Sequence, residues 1–236
     1  MQKNPQIPPT QIQQQMPSAD ISYRQEIFRK LIHLCSLSIP IIYAFITRQT
    51  AIVILACLFL PVLAIDLARH WIPPLERLVR RIFGNMMRKH ELDEQRILLN
   101  GATYVLLSAL LCVLIFPKIV AITAFAVLIV SDISSALIGR KFGKRKFLDK
   151  SLEGTTAFWI SSWLVVGVVW ALTQAPWQYA ATAMVATFIG GIVEAASIRL
   201  HMDDNFSIPL STGIVLWGMI MALGASVQSS ILGLLV

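Results

Sequence analysis

Between Ser131 and Thr155 the chain reads SDISSALIGRKFGKRKFLDKSLEGT, a stretch holding the residue types that phosphate and metal chemistry require. Asp132 stands about two helical turns before the end of a long apolar run. Gly139 and Gly143 follow, set among Arg140, Lys141, Lys144, Arg145 and Lys146, and then Lys150-Ser151-Leu152-Glu153-Gly154-Thr155 opens the next apolar run. Glycines let a backbone come close to a ligand, and the cations supply charge for phosphate. Ser151 can cap the helix that follows, so that its first N–H groups face an anion. Glu153 is then placed to reach a metal ion bridging phosphates. GRKFGK is not a P-loop: it is one residue short of that spacing and has Arg145 where Ser or Thr would hold magnesium. The pattern is that of a polyphosphate and metal site at a membrane surface.

Other candidates lie outside this stretch. Glu26, Arg29, Lys30 and His33 are spaced to share one face of a helix. Glu194 is a second acid near the end of an apolar run, and acids within spans cost roughly 2.5–3.5 kcal/mol and normally face a bundle interior. Asp203-Asp204-Asn205 offers adjacent hard oxygen donors that suit Mg²⁺, or forms a solvated turn before Pro209. His33 either packs between helices or acts as a base.

These residues need an apolar scaffold. Of the 236 residues 56% are hydrophobic and only 14% charged, well short of the share in soluble proteins, and the charges are clumped. The chain reads as an all-α polytopic membrane protein of about seven spans: 27–46, 51–67, 97–116, 118–138, 155–172, 177–198 and from 208 onwards. Residues 1–20, rich in Gln and Pro and without a signal-peptide core, read as a disordered cytoplasmic tail, and residues 21–236 as a single transmembrane catalytic domain. Pro40 is expected to kink the first span. Residues 73–90 combine an apolar helical stripe with arginines, which fits either a basic helix in the membrane interface or one packed on other loops. Cys35, Cys57 and Cys112 are single and offer no metal spacing. With seven spans, eighteen of the 20 Lys and Arg residues fall on one side and only Arg48 and Lys118 on the other, which puts the N-terminus and the candidate site in the cytoplasm. The net charge of +7 therefore reports basic loops, and no nucleic-acid pattern accompanies it.

The ordered set Glu26, Arg29, Lys30, His33; Asp132, Ala136, Gly139–Lys144; KSLEGT at 150–155; Glu194; and DNFSIPL at 204–210 resembles the CTP-dependent lipid-alcohol kinases, among them dolichol kinase, phytol kinase and CTP-dependent diacylglycerol kinase. The resemblance covers about residues 24–210. It implies an all-helical membrane enzyme that uses CTP and Mg²⁺ (or Mn²⁺) to phosphorylate a membrane alcohol such as a polyprenol, phytol or diacylglycerol. It carries over Arg29, Lys30, Asp132, Gly139 and the KSLEG residues as site residues. On that reading Asp132, Arg29, Lys30 and Glu153 are catalytic. Gly139, Arg140, Lys141, Gly143, Lys144, Lys150, Ser151 and Gly154 bind nucleotide, and metal falls to some of Asp132, Glu153, Glu194 and Asp204. His33, Glu26 and Asn205 line the site. Asp132 is either the base or the principal metal ligand. The central motif is also similar to that of phosphatidate cytidylyltransferases, which make CDP-diacylglycerol, but HMDDNFSIPL lacks their C-terminal metal motif. A non-enzymatic lipid-binding or transport protein is the third alternative. The expected location is a bacterial inner membrane, with the endoplasmic reticulum as alternative.

Overall fold

A helix that is apolar on all sides belongs in the middle of a bundle, and the run from Ile119 to Ile129 is such a helix: every one of its residues is buried. It forms the first half of α6 (Lys118–Phe142) in a computed structural model that describes residues 23–83 and 99–235. Around it stand α1 (Tyr23–Cys35), α2 (Ser38–Phe45), α3 (Arg48–Ala68), α4 (Pro73–Phe83), α5 (Gly101–Ile115), α7 (Leu152–Thr173), α8 (Trp177–Ala195), α9 (Asp204–Met221) and α10 (Ala225–Leu232). One ribbon, β1 (Lys146–Phe147) paired antiparallel with β2 (Lys150–Ser151), interrupts the helices. The expected tail at 1–20 and the continuation of the basic helix beyond residue 83 lie outside the described residues.

Among the described residues four segments are long and apolar enough to cross a bilayer: 27–45 (α1 and α2 together), α3, α6 and α7. The molecule is an integral, polytopic, all-helical membrane protein. On α7, Ile160, Leu164, Val168 and Leu172 recur every fourth residue and are exposed, while Phe158, Ser162 and Val166 on the other side are buried. The exposed ridge is the face that such a helix turns to lipid.

Polar contacts gather at the helix ends. At one end Arg48 donates through Nε to the carbonyl of Val113 (2.9 Å) and through its other nitrogen to that of Leu114, covering the last carbonyls of α5. Lys118 lies 5.6 Å above the Tyr43 ring. At the other end the carboxylate of Asp66, 1% exposed, accepts from the Asn100 amide (2.7 Å) and the Thr103 hydroxyl (2.8 Å) and pairs with Arg69 (2.7 Å). This joins the end of α3 to the start of α5.

Several boundaries differ from the sequence reading. The first span breaks at residues 36–37, because the Pro40 ring clashes with the carbonyl four residues earlier, that of Ser36. The third helix is shorter than expected, starting at Gly101 behind the cap of Asn100, whose side chain accepts from the Thr103 amide. Residues 139–142 are the last turn of α6 and not part of a loop, with Arg140 and Lys141 near the carbonyl end where cations are favoured. The final span starts early, at Asp204 behind the Asp203 cap, and is cut at 222–224 into α9 and α10.

Candidate active site

α6 carries Asp132 about three turns before its end, and α1 packs beside it with Lys30 and His33 one turn apart on the facing side. Lys30 donates its ammonium to Asp132 Oδ2, forming an ion pair whose side chains are 3% and 7% exposed. His33 Nε2 lies 3.8 Å from the same oxygen and is buried without a hydrogen-bond partner among the described residues.

A second charge cluster lies beside the first. Lys150 reaches Glu194 Oε1 at 2.5 Å and Asp204 Oδ2 at 3.0 Å, and Ser135 donates to the same Glu194 oxygen at 2.8 Å. Glu194 is at the last turn of α8 and Asp204 at the first residue of α9. Burial pushes the Lys150 ammonium down, but Asp204, Glu194 and Asp132 together outweigh it and hold the group above the ordinary lysine range. Asp132 therefore acts electrostatically on both lysines. The remaining oxygens, Glu194 Oε2 and Asp204 Oδ1, are buried and have no hydrogen-bond partner among the described residues.

The ribbon positions Lys150. Its turn places Leu148 in the left-handed region (φ 52°) and sends Asp149 to the end of α8. There the Asp149 amide donates to the Ala195 carbonyl (3.0 Å), and its carboxylate accepts from the Arg199 amide (3.0 Å) and Nε (2.7 Å). Partial burial raises the Asp149 carboxyl, but the hydrogen bonds and charge of Arg199 outweigh this and hold it below the usual carboxylate range.

The glycines do their work inside the protein. A Cβ on Gly139 would stand 2.9 Å from Ser151 Oγ, and one on Gly143 would stand 2.8 Å from the same atom. A Cβ on Gly154 would stand 2.9 Å from the Ser135 carbonyl and 3.1 Å from Gly139 Cα. Gly139 and Gly154 therefore bring the end of α6 and the start of α7 into backbone contact, and Gly143 leaves room for the Ser151 side chain. Ser151 caps α7 as expected, accepting from the Gly154 amide at 3.2 Å.

No protein-family model matches the chain, and no solved structure is significantly similar to it. Curated proteins do match. An uncharacterized protein of Rickettsia prowazekii is 28% identical over 83% of this chain and 94% of its own length. The CTP-dependent diacylglycerol kinase 1 of Schizosaccharomyces pombe is 26% identical over 67% of this chain and 76% of its own. The Saccharomyces cerevisiae protein of that name is also 26% identical, over 83% and 73%. The chain is a distant homologue of these kinases. A probable chloroplastic phytol kinase 2 of Glycine max, 28% identical over 52% of the chain, extends the likeness to a second alcohol kinase.

Of the residues singled out in the sequence, Lys30, His33, Asp132, Lys150, Glu194 and Asp204 come together at one end of the bundle. Others are placed differently. The Glu153 carboxylate accepts from the backbone amides of Lys144 (3.0 Å) and Arg145 (3.2 Å), holding the turn after α6. Asn205 folds back onto Asp203 Oδ1 at 2.8 Å. Lys141 lies 5.1 Å from its neighbour Phe142's ring, and Arg140 and Lys144 are exposed on the rim. Arg29 is half-buried beside Lys30, and the side chain of Glu26 lies outside the described residues. Ser135 was not singled out, though it stands three residues after Asp132 on the same face.

For a divalent cation, no group of three or more acidic, His or Cys side chains stands together among the described residues. The fit rests on the Glu194 and Asp204 pair with its two orphaned oxygens. Two carboxylates completed by substrate phosphate is the donor set Mg²⁺ commonly takes.

Proposed function

We propose that the chain is a CTP-dependent kinase that phosphorylates the hydroxyl of a membrane lipid alcohol at the cytoplasmic face. The observation that carries this reading is the meeting of two buried charge clusters, Lys30–Asp132 and Lys150–Glu194–Asp204, at one end of an apolar bundle. The homology to CTP-dependent diacylglycerol kinases and a phytol kinase supports it. On this reading the bundle has seven spans with the N-terminus in the cytoplasm, and the basic rim faces the nucleotide pool.

Arg140, Lys141 and Lys144 on the rim, with Lys150 deeper, hold the triphosphate. Glu194 and Asp204 would hold Mg²⁺, with Asp132 beside them. The metal, when bound, neutralises charge developing on the transferring phosphoryl group and its leaving oxygen. The lipid hydroxyl arrives from the bilayer between helices. Asp132, paired with Lys30, either takes its proton as it attacks the γ-phosphorus or adds a ligand to the metal. Arg29 and Lys30 stabilise charge on the transferring group. Phosphoryl transfer depends mostly on positioning and charge neutralisation, so helix ends locked together by glycine contacts and the Asp149 anchor are a suitable frame.

The test uses purified full-length protein, Mg²⁺ and CTP labelled separately on the α- and γ-phosphorus. Polyprenols, phytol, diacylglycerol and phosphatidate are offered as acceptors. γ-Label in an alcohol, with CDP released, is the expected result. α-Label in phosphatidate, with pyrophosphate released, would overturn it in favour of a cytidylyltransferase, and no nucleotide binding at all would indicate a non-enzymatic lipid protein.

A further inference from the structure

The Lys150 cluster holds two carboxylates against a single ammonium. Glu194 is 1% exposed and comes from the end of α8, Asp204 comes from the start of α9, and each gives one oxygen to Lys150. Each keeps its other oxygen buried with no donor. The neighbouring cations are engaged elsewhere, Lys30 with Asp132 and Arg199 with Asp149. With both acids ionised the cluster is one positive charge short among the described residues, and uncompensated buried charge is costly. An ammonium is a compact point charge on a flexible stem, and it releases an acid pair more readily than a planar guanidinium does. The backbone of Lys150 is fixed, since the ribbon is anchored at Asp149 to Ala195 and Arg199. Its side chain is 24% exposed, so the ammonium is not sealed inside the bundle.

We propose that Lys150 is the resident counter-ion of a divalent-cation seat formed by Glu194 and Asp204, with Ser135 beside it, and that an arriving cation displaces the ammonium toward the nucleotide phosphates. The seat needs only the two acids; the destination of the ammonium rests on the nucleotide reading above. A divalent ion supplies the missing charge and occupies the two oxygens that have no donor. The released ammonium becomes available to a triphosphate, so metal loading and nucleotide binding strengthen each other. The metal-free site is not an open hole, because Lys150 holds α8 and α9 in register until the ion arrives.

The test measures Mn²⁺ binding by electron paramagnetic resonance on the full chain in detergent, without nucleotide, for wild type, Lys150→Met, Lys150→Gln and Glu194→Gln. Removing the competing ammonium is expected to tighten Mn²⁺ binding about tenfold or more, equivalent to roughly 1.4 kcal/mol. Glu194→Gln is expected to remove one bound ion. Two lysine variants are used so that a folding defect in one does not decide the outcome. On the wild type, Mn²⁺ is expected to speed reductive methylation of Lys150, read by mass spectrometry. Unchanged or weaker Mn²⁺ binding in a folded Lys150 variant, or a Lys150 methylation rate indifferent to Mn²⁺, overturns the exchange. The kinase reading fails separately: label from the α-phosphorus in the lipid would refute it and leave the cation seat intact.

Discussion

Replacing Lys30 by Met separates the structural from the chemical contribution of the Lys30–Asp132 pair. Both side chains are more than nine-tenths buried, so Lys30→Met leaves an ionised Asp132 without the cation that hydrogen-bonds to it. Breaking a buried pair from one side costs about 3–5 kcal/mol, whereas replacing both partners by apolar groups of similar volume is often close to neutral. Lys30→Met and Asp132→Leu are therefore each expected to lower stability by about 3–5 kcal/mol, while the double variant returns to within about 1 kcal/mol of wild type. Activity should not return with it: transfer of γ-label from CTP should be lost in the double variant despite its recovered fold. Stability would be read by denaturant unfolding in micelles, and turnover by label transfer at saturating CTP. A double variant as unstable as two independent losses would show that the pair is not one unit. An Asp132→Asn variant with near-normal turnover would remove Asp132 from the chemistry altogether.

Gly154→Ala puts a methyl 2.9 Å from the Ser135 carbonyl and is expected to cost about 1–3 kcal/mol and to lower turnover, checked by thermal unfolding and label transfer. Asp66→Ala removes the acceptor shared by the Asn100 amide and the Thr103 hydroxyl; a loss of about 3 kcal/mol in unfolding free energy is expected. Because Arg199 lowers the Asp149 carboxyl, the anchor is fully present above the ordinary carboxylate value of 3.8 and is lost as pH falls below it. Protection of the Asp149 amide, bonded to the Ala195 carbonyl, should then drop on acidification below about pH 4 in hydrogen exchange, and in Asp149→Asn it should be low at all pH values.

Much of this was open to a reading of spacing. Lys30 and His33 lie three apart and share a helix face, so their joint approach to one partner was legible. Asp132 and Glu194 stood out as acids in apolar runs. The partner of Lys150 was not legible, because Glu194 lies 44 residues away and Asp204 lies 54 away on another helix start. Only the folding of the ribbon onto α8 brings them together. An acid in the first turn of a helix suits a metal, a dipole or a loop amide equally well, so the binding of Glu153 to the 144 and 145 amides could not be read from its position. The role of Gly139, Gly143 and Gly154 was also hidden, since a glycine that admits a ligand and one that admits another helix look alike in a chain. A kink caused by Pro40 was expected and takes the form of a break at 36–37, whereas the cut at 222–224 carried no proline to announce it.

The contact between α6 and α7 has a consequence for how the protein lives in membranes of different thickness. The two helices are fixed backbone to backbone at Gly139 and Gly154, on the side where the chemistry sits. A bilayer thicker or thinner than the apolar helices is accommodated by tilt, and a pair pinned at one point can tilt only about that point. The junction is then a fulcrum. Displacement is least at the Asp132 and Lys150 clusters and greatest at the far end, around Arg48 and Lys118, so the molecule can change its angle in the membrane without disturbing the candidate site.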